Sequence, residues 1–322
     1  MTFRFALVGL ALFCGPAAMA QPATSYPERP VRMIVPWPAG GGTDIFARAI
    51  SEKLQQSLGQ PFVVENRPGV AGNLGAASVA HATPDGYTII LATITLATSP
   101  ALYKTLDYNA IKDLSPVTLI AGVPQVLAVN PAVPAKSVKE LIALAKQSPG
   151  KLSYSSAGVG SPFHIAGELF KQSAGVDILH VPYKGGAPAV TDAIGGQVQM
   201  TFANLVAVLP QVKSGQLRAL AVTSAKRSQA APDVPTMAEA GLPGYEFTSW
   251  FGVLAPAGTP PAIVKKLNVE IVKVLKSPEI SARLSKEGAD LIASSPEEFA
   301  AYLKSETAKW SKLIKAAGIP QN

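Results

Sequence analysis

Two glycine-bearing loops, each joining a strand-like run to the start of a helix, constrain this chain more than any other feature. The first is Pro36-Trp37-Pro38-Ala39-Gly40-Gly41-Gly42-Thr43-Asp44, which follows the apolar run Val31 to Val35. The second is Ser155-Ser156-Ala157-Gly158-Val159-Gly160-Ser161-Pro162-Phe163-His164. Glycine permits backbone angles closed to other residues and lets a ligand come close to the main chain. Thr43 or Asp44 in one loop, and Ser161 followed by Pro162 in the other, are residue types that cap a helix and begin its first turn. A helix start presents unpaired N–H groups and roughly half a positive charge. Two such starts facing one cleft offer about one unit of charge, a match for a carboxylate. That pattern points to binding rather than to catalysis.

Apolar periodicity predicts strands at 31–35, 62–65, 88–92, 126–129, 152–155, 178–181, 198–202, 217–222 and 251–255. Amphipathic helices are predicted at 45–58, 138–146, 165–172, 188–194, 261–275 and 296–317. Alternating strands and helices imply an α/β fold with a mostly parallel sheet flanked by helices. Ligands of such sheets lie beyond the carboxyl ends of the strands, where both glycine loops fall. The segments 121–134 and 242–250 carry Gly and Pro without strong periodicity. A chain that leaves one domain near the first and returns near the second makes two lobes. The expected division is lobe 1 from 26–124 and 250–322, and lobe 2 from 125–249.

The first twenty residues set the compartment. Arg4, an apolar stretch from Phe5 to Cys14, and the closing Ala18-Met19-Ala20 have the layout of a cleaved secretory signal peptide over 1–20. The stretch is too short to span a bilayer. The single cysteine, Cys14, falls within it, and the bulky Phe13 before it favours cleavage over lipid attachment. The mature chain therefore has no disulfide and relies on its core. Hydrophobic residues make up 48% and charged residues 15%, which argues against disorder. The net charge of +7 comes from scattered Lys and Arg with no basic stripe, so a nucleic-acid partner is not expected.

Each residue of the two loops also has a blander reading. The glycines serve as plain turns in that reading, and Thr43 and Ser161 as caps alone. Asp44 suits an anion site poorly and is expected to cap the helix or hold its loop rather than touch the solute. His164, in the second turn of a helix, is either a ligand contact or structural. Tyr183 with Gly185 and Gly186 either lines the cleft or forms a turn before the next helix. Ser99 and Asn204 follow predicted strands and are candidates for the far end of a solute. A serine hydrolase is the rival reading, but Gly158-Val159-Gly160-Ser161-Pro162 lacks the final glycine of the nucleophile elbow. No metal-ligand spacing, dinucleotide fingerprint or phosphate loop is present, so neither a metal nor a cofactor is expected.

Taken in order, the motifs resemble one family. They are Tyr26-Pro27-Glu28-Arg29-Pro30-Val31-Arg32, the first glycine loop, Val64-Glu65-Asn66-Arg67-Pro68-Gly69, Pro84-Asp85-Gly86-Tyr87 and Ser99-Pro100-Ala101-Leu102-Tyr103. The second glycine loop and Val181-Pro182-Tyr183-Lys184-Gly185-Gly186-Ala187-Pro188-Ala189 follow. Together they resemble the Bug-type solute-binding receptors of tripartite tricarboxylate transporters across the mature chain. The resemblance implies a two-lobe, Venus-flytrap periplasmic binding protein that is not an enzyme. It implies capture of a small organic carboxylate (a dicarboxylate, an amino acid or an aromatic acid) by a monomer that delivers it to membrane permease subunits. The alternative within the fold is a receptor that reports the ligand to a sensor kinase. Carried onto this chain, the ligand loops are Ala39, Gly40, Gly41, Gly42, Thr43 and Asp44, with Ser156, Ala157, Gly158, Val159, Gly160, Ser161 and His164.

Overall fold

The computed structural model describes residues 26–286, 288–316, 319 and 321. The expected signal peptide and Cys14 lie outside them. From the amino end, the elements are β1 (Val31–Val35), α1 (Gly42–Leu58), β2 (Phe62–Asn66), α2 (Asn73–Ala80), β3 (Thr88–Thr93), α3 (Thr95–Leu102) and β4 (Leu114–Val129). Next come α4 (Val138–Gln147), β5 (Ser153–Ser156), α5 (Pro162–Ala174), β6 (Leu179–Pro182), α6 (Gly186–Ile194), β7 (Met200–Asn204), α7 (Leu205–Lys213) and β8 (Arg218–Val222). The chain closes with β9 (Thr248–Pro256), α8 (Pro261–Lys276), α9 (Pro278–Lys286), β10 (Asp290–Leu291) and α10 (Pro296–Ala316).

The strands run in the order β2-β1-β3-β9-β4-β7-β5-β6. Its two ends, β2-β1-β3 and β7-β5-β6, are parallel, as strand–helix alternation requires. The middle is antiparallel, so the sheet is mixed rather than mostly parallel. The cause is β4, a strand far longer than the predicted 126–129. Its residues from Leu114 to Pro124 pair with β9, and those from Gln125 to Val129 pair with β7. Register shifts near Pro116 and Leu119 let it bend while staying paired. The segment 121–134 therefore begins as the inner part of a strand, not as a linker. Every residue from Val117 to Val129 is buried, and a strand covered on both faces shows no alternation to read.

Four further helices were not predicted: α2 and α9, at eight and nine residues, are too short to show a repeat, and α3 and α7 hide theirs by burial. In α3 six of eight residues are buried and Pro100 lies inside it; α7 likewise contains Pro210. Each presents small or apolar residues on all sides, so no stripe marks it. Elsewhere the local signals hold. Ser137 caps α4 by accepting the N–H of Glu140, and Gly59 closes α1 in the left-handed conformation.

The C-terminal helix returns to the first half of the chain. Phe299, Leu303, Trp310 and Ile314 are buried on its inner face, and Trp310 donates its indole N–H to Glu306. Phe299 lies so close over Gly252 of β9 that a Cβ there would sit 2.3 Å from its ring. The variant Gly252→Ala should therefore lose about 1–3 kcal/mol of stability through overpacking, read as an earlier urea midpoint at unchanged slope.

Candidate functional site

The loops after β1, β5, β6 and β7 meet at the carboxyl ends of their strands, on the side expected for an α/β sheet. Helix α1 begins at Gly42, with Gly41 at its N-cap and no side-chain cap. Thr43 and Asp44 thus do not cap it, contrary to expectation. Asp44 is buried and holds the loop instead. One carboxylate oxygen accepts the Gly40 N–H (3.1 Å) and Arg48 Nε (2.9 Å), and the other accepts Asn66 Nδ2 (3.0 Å). Burial alone would raise this carboxyl's pKa, but those hydrogen bonds and the Arg48 charge hold it below the usual carboxylate range. With Asp44 saturated, the uncapped N–H groups at the start of α1 stay free of a protein acceptor and open onto a cavity.

That cavity has a volume of about 210 Å³. Gly40 to Thr43, Trp37, Thr93 and Phe251 line it from one half of the molecule, and Ser249 lines it at the junction of the two. Ala157, Pro162, Phe163, Gly186, Ala187 and Asn204 line it from the other, with Val190, Thr191, Ile194, Ala207 and Gln211 along α6 and α7. Among the described residues, not one that lines it is ionisable. A second cavity of about 500 Å³ lies beyond Trp37, Pro38 and Ala157, which line both. Gly158, Val159, Tyr183, Lys184 and Gly185 face it, opposite Pro68 to Ala71 and Tyr103. Two contacts bridge the halves here. Tyr103 donates to the Val159 carbonyl at 3.2 Å, and a Cβ on Gly185 would lie 2.7 Å from Pro38 Cγ.

The second glycine loop uses its N–H groups internally. Gly158 donates to Ser156 Oγ (3.1 Å), Gly160 to His164 Nδ1 (3.1 Å), and His164 to Ser161 Oγ (3.3 Å), so α5 is capped as predicted. From this half Pro162 and Phe163 at the start of α5 and Asn204 at that of α7 line the first cavity, and so does the start of α6. Its N-cap Gly185 has φ 124° and makes no side-chain cap bond, and Gly186 and Ala187 reach the cavity wall. Among the residues singled out from sequence, Gly40, Gly41, Gly42, Thr43, Ala157, Gly158, Val159, Tyr183, Gly185 and Asn204 line one cavity or both. Ala39, Asp44, Ser99, Ser156, Gly160, Ser161 and His164 line neither. Ser99 is buried within α3, Ala39 is exposed, and Asp44, Ser156, Gly160, Ser161 and His164 brace the loops through hydrogen bonds. Gly186, weighed from sequence beside Tyr183 and Gly185, lines the first cavity. Sequence reasoning passed over Ala187, Thr93, Ser249 and Gln211; a signal existed for Ala187, because Tyr183 to Pro188 is a third strand–glycine–helix junction.

Behind the second loop two imidazoles stack, His164 on His180, with ring centres 4.2 Å apart; His180 in turn stacks on Tyr154 at 4.9 Å. His180 Nε2 lies 2.6 Å from Ser156 Oγ, so the pair supports both hydrogen-bonded glycines. Burial, then the neighbouring His164, pushes the His180 pKa down to about 4, against partial relief from Glu168. Burial lowers His164 too. Depressed histidine pKa values stabilise the fold in full above the unfolded value of about 6.5, and the contribution disappears as pH falls toward about 4. Melting temperature should thus fall between about pH 7 and pH 4, and His180→Phe should flatten that part of the profile; an unchanged slope counts against the assignment.

Known proteins agree with this geometry. The family described as the tripartite tricarboxylate transporter family receptor matches residues 46–319. Protein BugT of Bordetella pertussis is 39% identical over 322 residues, covering 99% of this chain and 98% of that protein. Among solved structures, one from R. palustris with adipate is 42% identical, with a TM-score of 0.90 over 92% of this chain and 100% of the other. The malate-bound MatC of Rhodopseudomonas palustris is 33% identical with a TM-score of 0.85, over 90% and 100%. The periplasmic binding protein BugD is 38% identical with a TM-score of 0.89, over 92% and 100%. The chain has the two-lobe fold of the periplasmic binding proteins and belongs to the tripartite tricarboxylate transporter family of receptors.

Proposed function

We propose that this protein is a periplasmic receptor that closes two lobes on a small organic carboxylate and passes it to a tripartite tricarboxylate-type permease. One observation carries the reading. The uncapped starts of α1 and α6, from opposite halves, open onto one cavity that has no ionisable side chain. Backbone donors backed by two helix dipoles favour an anion there without a basic residue. The adipate and malate held by two relatives support the class of solute. The lobes divide where β4 changes partners, between Pro124 and Gln125, so 26–124 with 250–322 closes against 125–249. Gly40 to Thr43, Ala157 and Asn204 contact the solute; Asp44, Ser156, Ser161 and His164 shape the loops that do.

The hydrolase reading draws no support from the one close serine–histidine pair. Ser156 is fully buried and lines neither cavity, so a substrate carbonyl has no approach to its hydroxyl. A thermal-shift screen of the purified protein over organic acids tests the receptor reading. At least one acid should raise the melting temperature and be recovered unchanged, with its primary amide binding more weakly. The variant Gly42→Val should lower that affinity by at least about tenfold, because its side chain would enter the space at Asn204 Nδ2, 3.0 Å from the Cβ position. Stability of the unliganded variant should stay close to wild type, since position 42 is at a helix start and its φ is not left-handed. Turnover of the acid, or unchanged affinity in the variant, would sink the proposal.

A further inference from the structure

Asn204 departs from the usual behaviour of its residue type. It is the N-cap of α7, where an asparagine oxygen ordinarily accepts an N–H of the first turn, yet it makes no such bond. The oxygen is engaged elsewhere: Gln125 Nε2 donates to Asn204 Oδ1 at 2.5 Å. This leaves the Asn204 Nδ2 group turned toward Gly42, at the uncapped start of α1. Donors from one half of the molecule thus face donors from the other. Such an arrangement is satisfied by a shared acceptor between them, and a carboxylate oxygen is one.

Gln125 is well placed to enforce that orientation. It is fully buried on β4, directly opposite Asn204 of β7 in the ladder, at the point where β4 changes partners. Its backbone is clamped from both sides: the N–H donates to Thr223 Oγ1 (2.9 Å), and the carbonyl accepts from the N–H (2.9 Å) and hydroxyl (3.1 Å) of Thr223. Its own Oε1 is buried without a partner. A buried amide held so firmly, with one atom unsatisfied, contributes little to stability by itself. Its single side-chain bond serves to fix the neighbouring amide. Ser249, with a buried hydroxyl that has no partner, lines the same cavity and adds a further polar group to its wall.

Resting on the receptor reading above, we infer that Gln125 is a positioning residue: it locks Asn204 with its amide nitrogen toward the cleft, so that lobe 2 offers a neutral donor to the carboxylate held at the start of α1. Discrimination between an acid and its amide then depends on a residue that never touches the solute. Asn204 with the opposite face outward would present an oxygen to the anion and repel it.

The test is a double-mutant cycle on the whole mature protein. Adipate, malate, glutamate, benzoate and terephthalate are screened by calorimetry, and the tightest is compared with its primary amide on wild type, Gln125→Met, Asn204→Leu and the double variant. Gln125→Met should weaken acid binding by roughly tenfold and lower the acid-to-amide preference by a similar factor. The double variant should bind no more weakly than Asn204→Leu alone, since Gln125 acts through Asn204. Unchanged acid-to-amide preference in Gln125→Met, or additive losses in the cycle, would overturn the inference while leaving the receptor reading intact. If none of the five acids binds wild type, both fail together. Should Gln125→Met not fold, nitrogen-edited spectra of wild type decide: the Asn204 side-chain amide protons should move downfield on acid binding, and immobile signals would refute the assignment.

Discussion

Unpaired N–H groups at the starts of two helices, brought face to face from separate halves of the chain, are the constraint on which the rest of this molecule depends. Neither α1 nor α6 has a side-chain cap, and both open onto a cavity without an ionisable side chain. A helix start left this way in a closed space is costly until an acceptor fills it. The surrounding side chains leave these donors unclaimed. Asp44 could have capped α1, yet three hydrogen bonds turn its carboxylate back into the loop. Asn204 could have capped α7, yet Gln125 holds its oxygen.

The second requirement is that the two halves share a framework. Strand β4 supplies it by pairing with β9 along one part of its length and with β7 along the other. The site therefore sits beside the change of partner, where Gln125, Asn204 and Ser249 come together.

Much of this was readable in the residues. The strand–glycine–helix junctions at Gly40–Thr43 and Gly158–Ser161 were placed correctly; Asn204 is the last residue of its strand rather than beyond it, and Asp44 braces its loop without capping α1. What misled was equivalence. The second glycine loop looks like the first on paper, but its Gly158 and Gly160 N–H groups are taken by Ser156 and His164. The third junction, at Tyr183 to Pro188, has fewer of the usual signals and provides the open helix start instead. The part of strand β4 before Val126 and helices α2, α3, α7 and α9 were missed for want of visible periodicity, because burial on every side, or shortness, erases the pattern that amphipathic elements display.

By itself, then, the order of residues determined the alternation of strands and helices, the glycine junctions and the family to which the chain belongs. These are local matters, set by backbone freedom, capping chemistry and the spacing of apolar side chains. Which helix starts remain unpaired was decided only by tertiary structure. Donors and acceptors are claimed by whichever partners folding brings within reach: the Ser156 hydroxyl accepts from Gly158 across a tight turn, and the Gln125 amide donates to Asn204 from 79 positions away. The Gln125–Asn204 pairing leaves no trace in local sequence, and together with the local bonds of Asp44, Ser156 and His164 it turned three similar junctions into one open cradle, one braced loop and one opposing helix start.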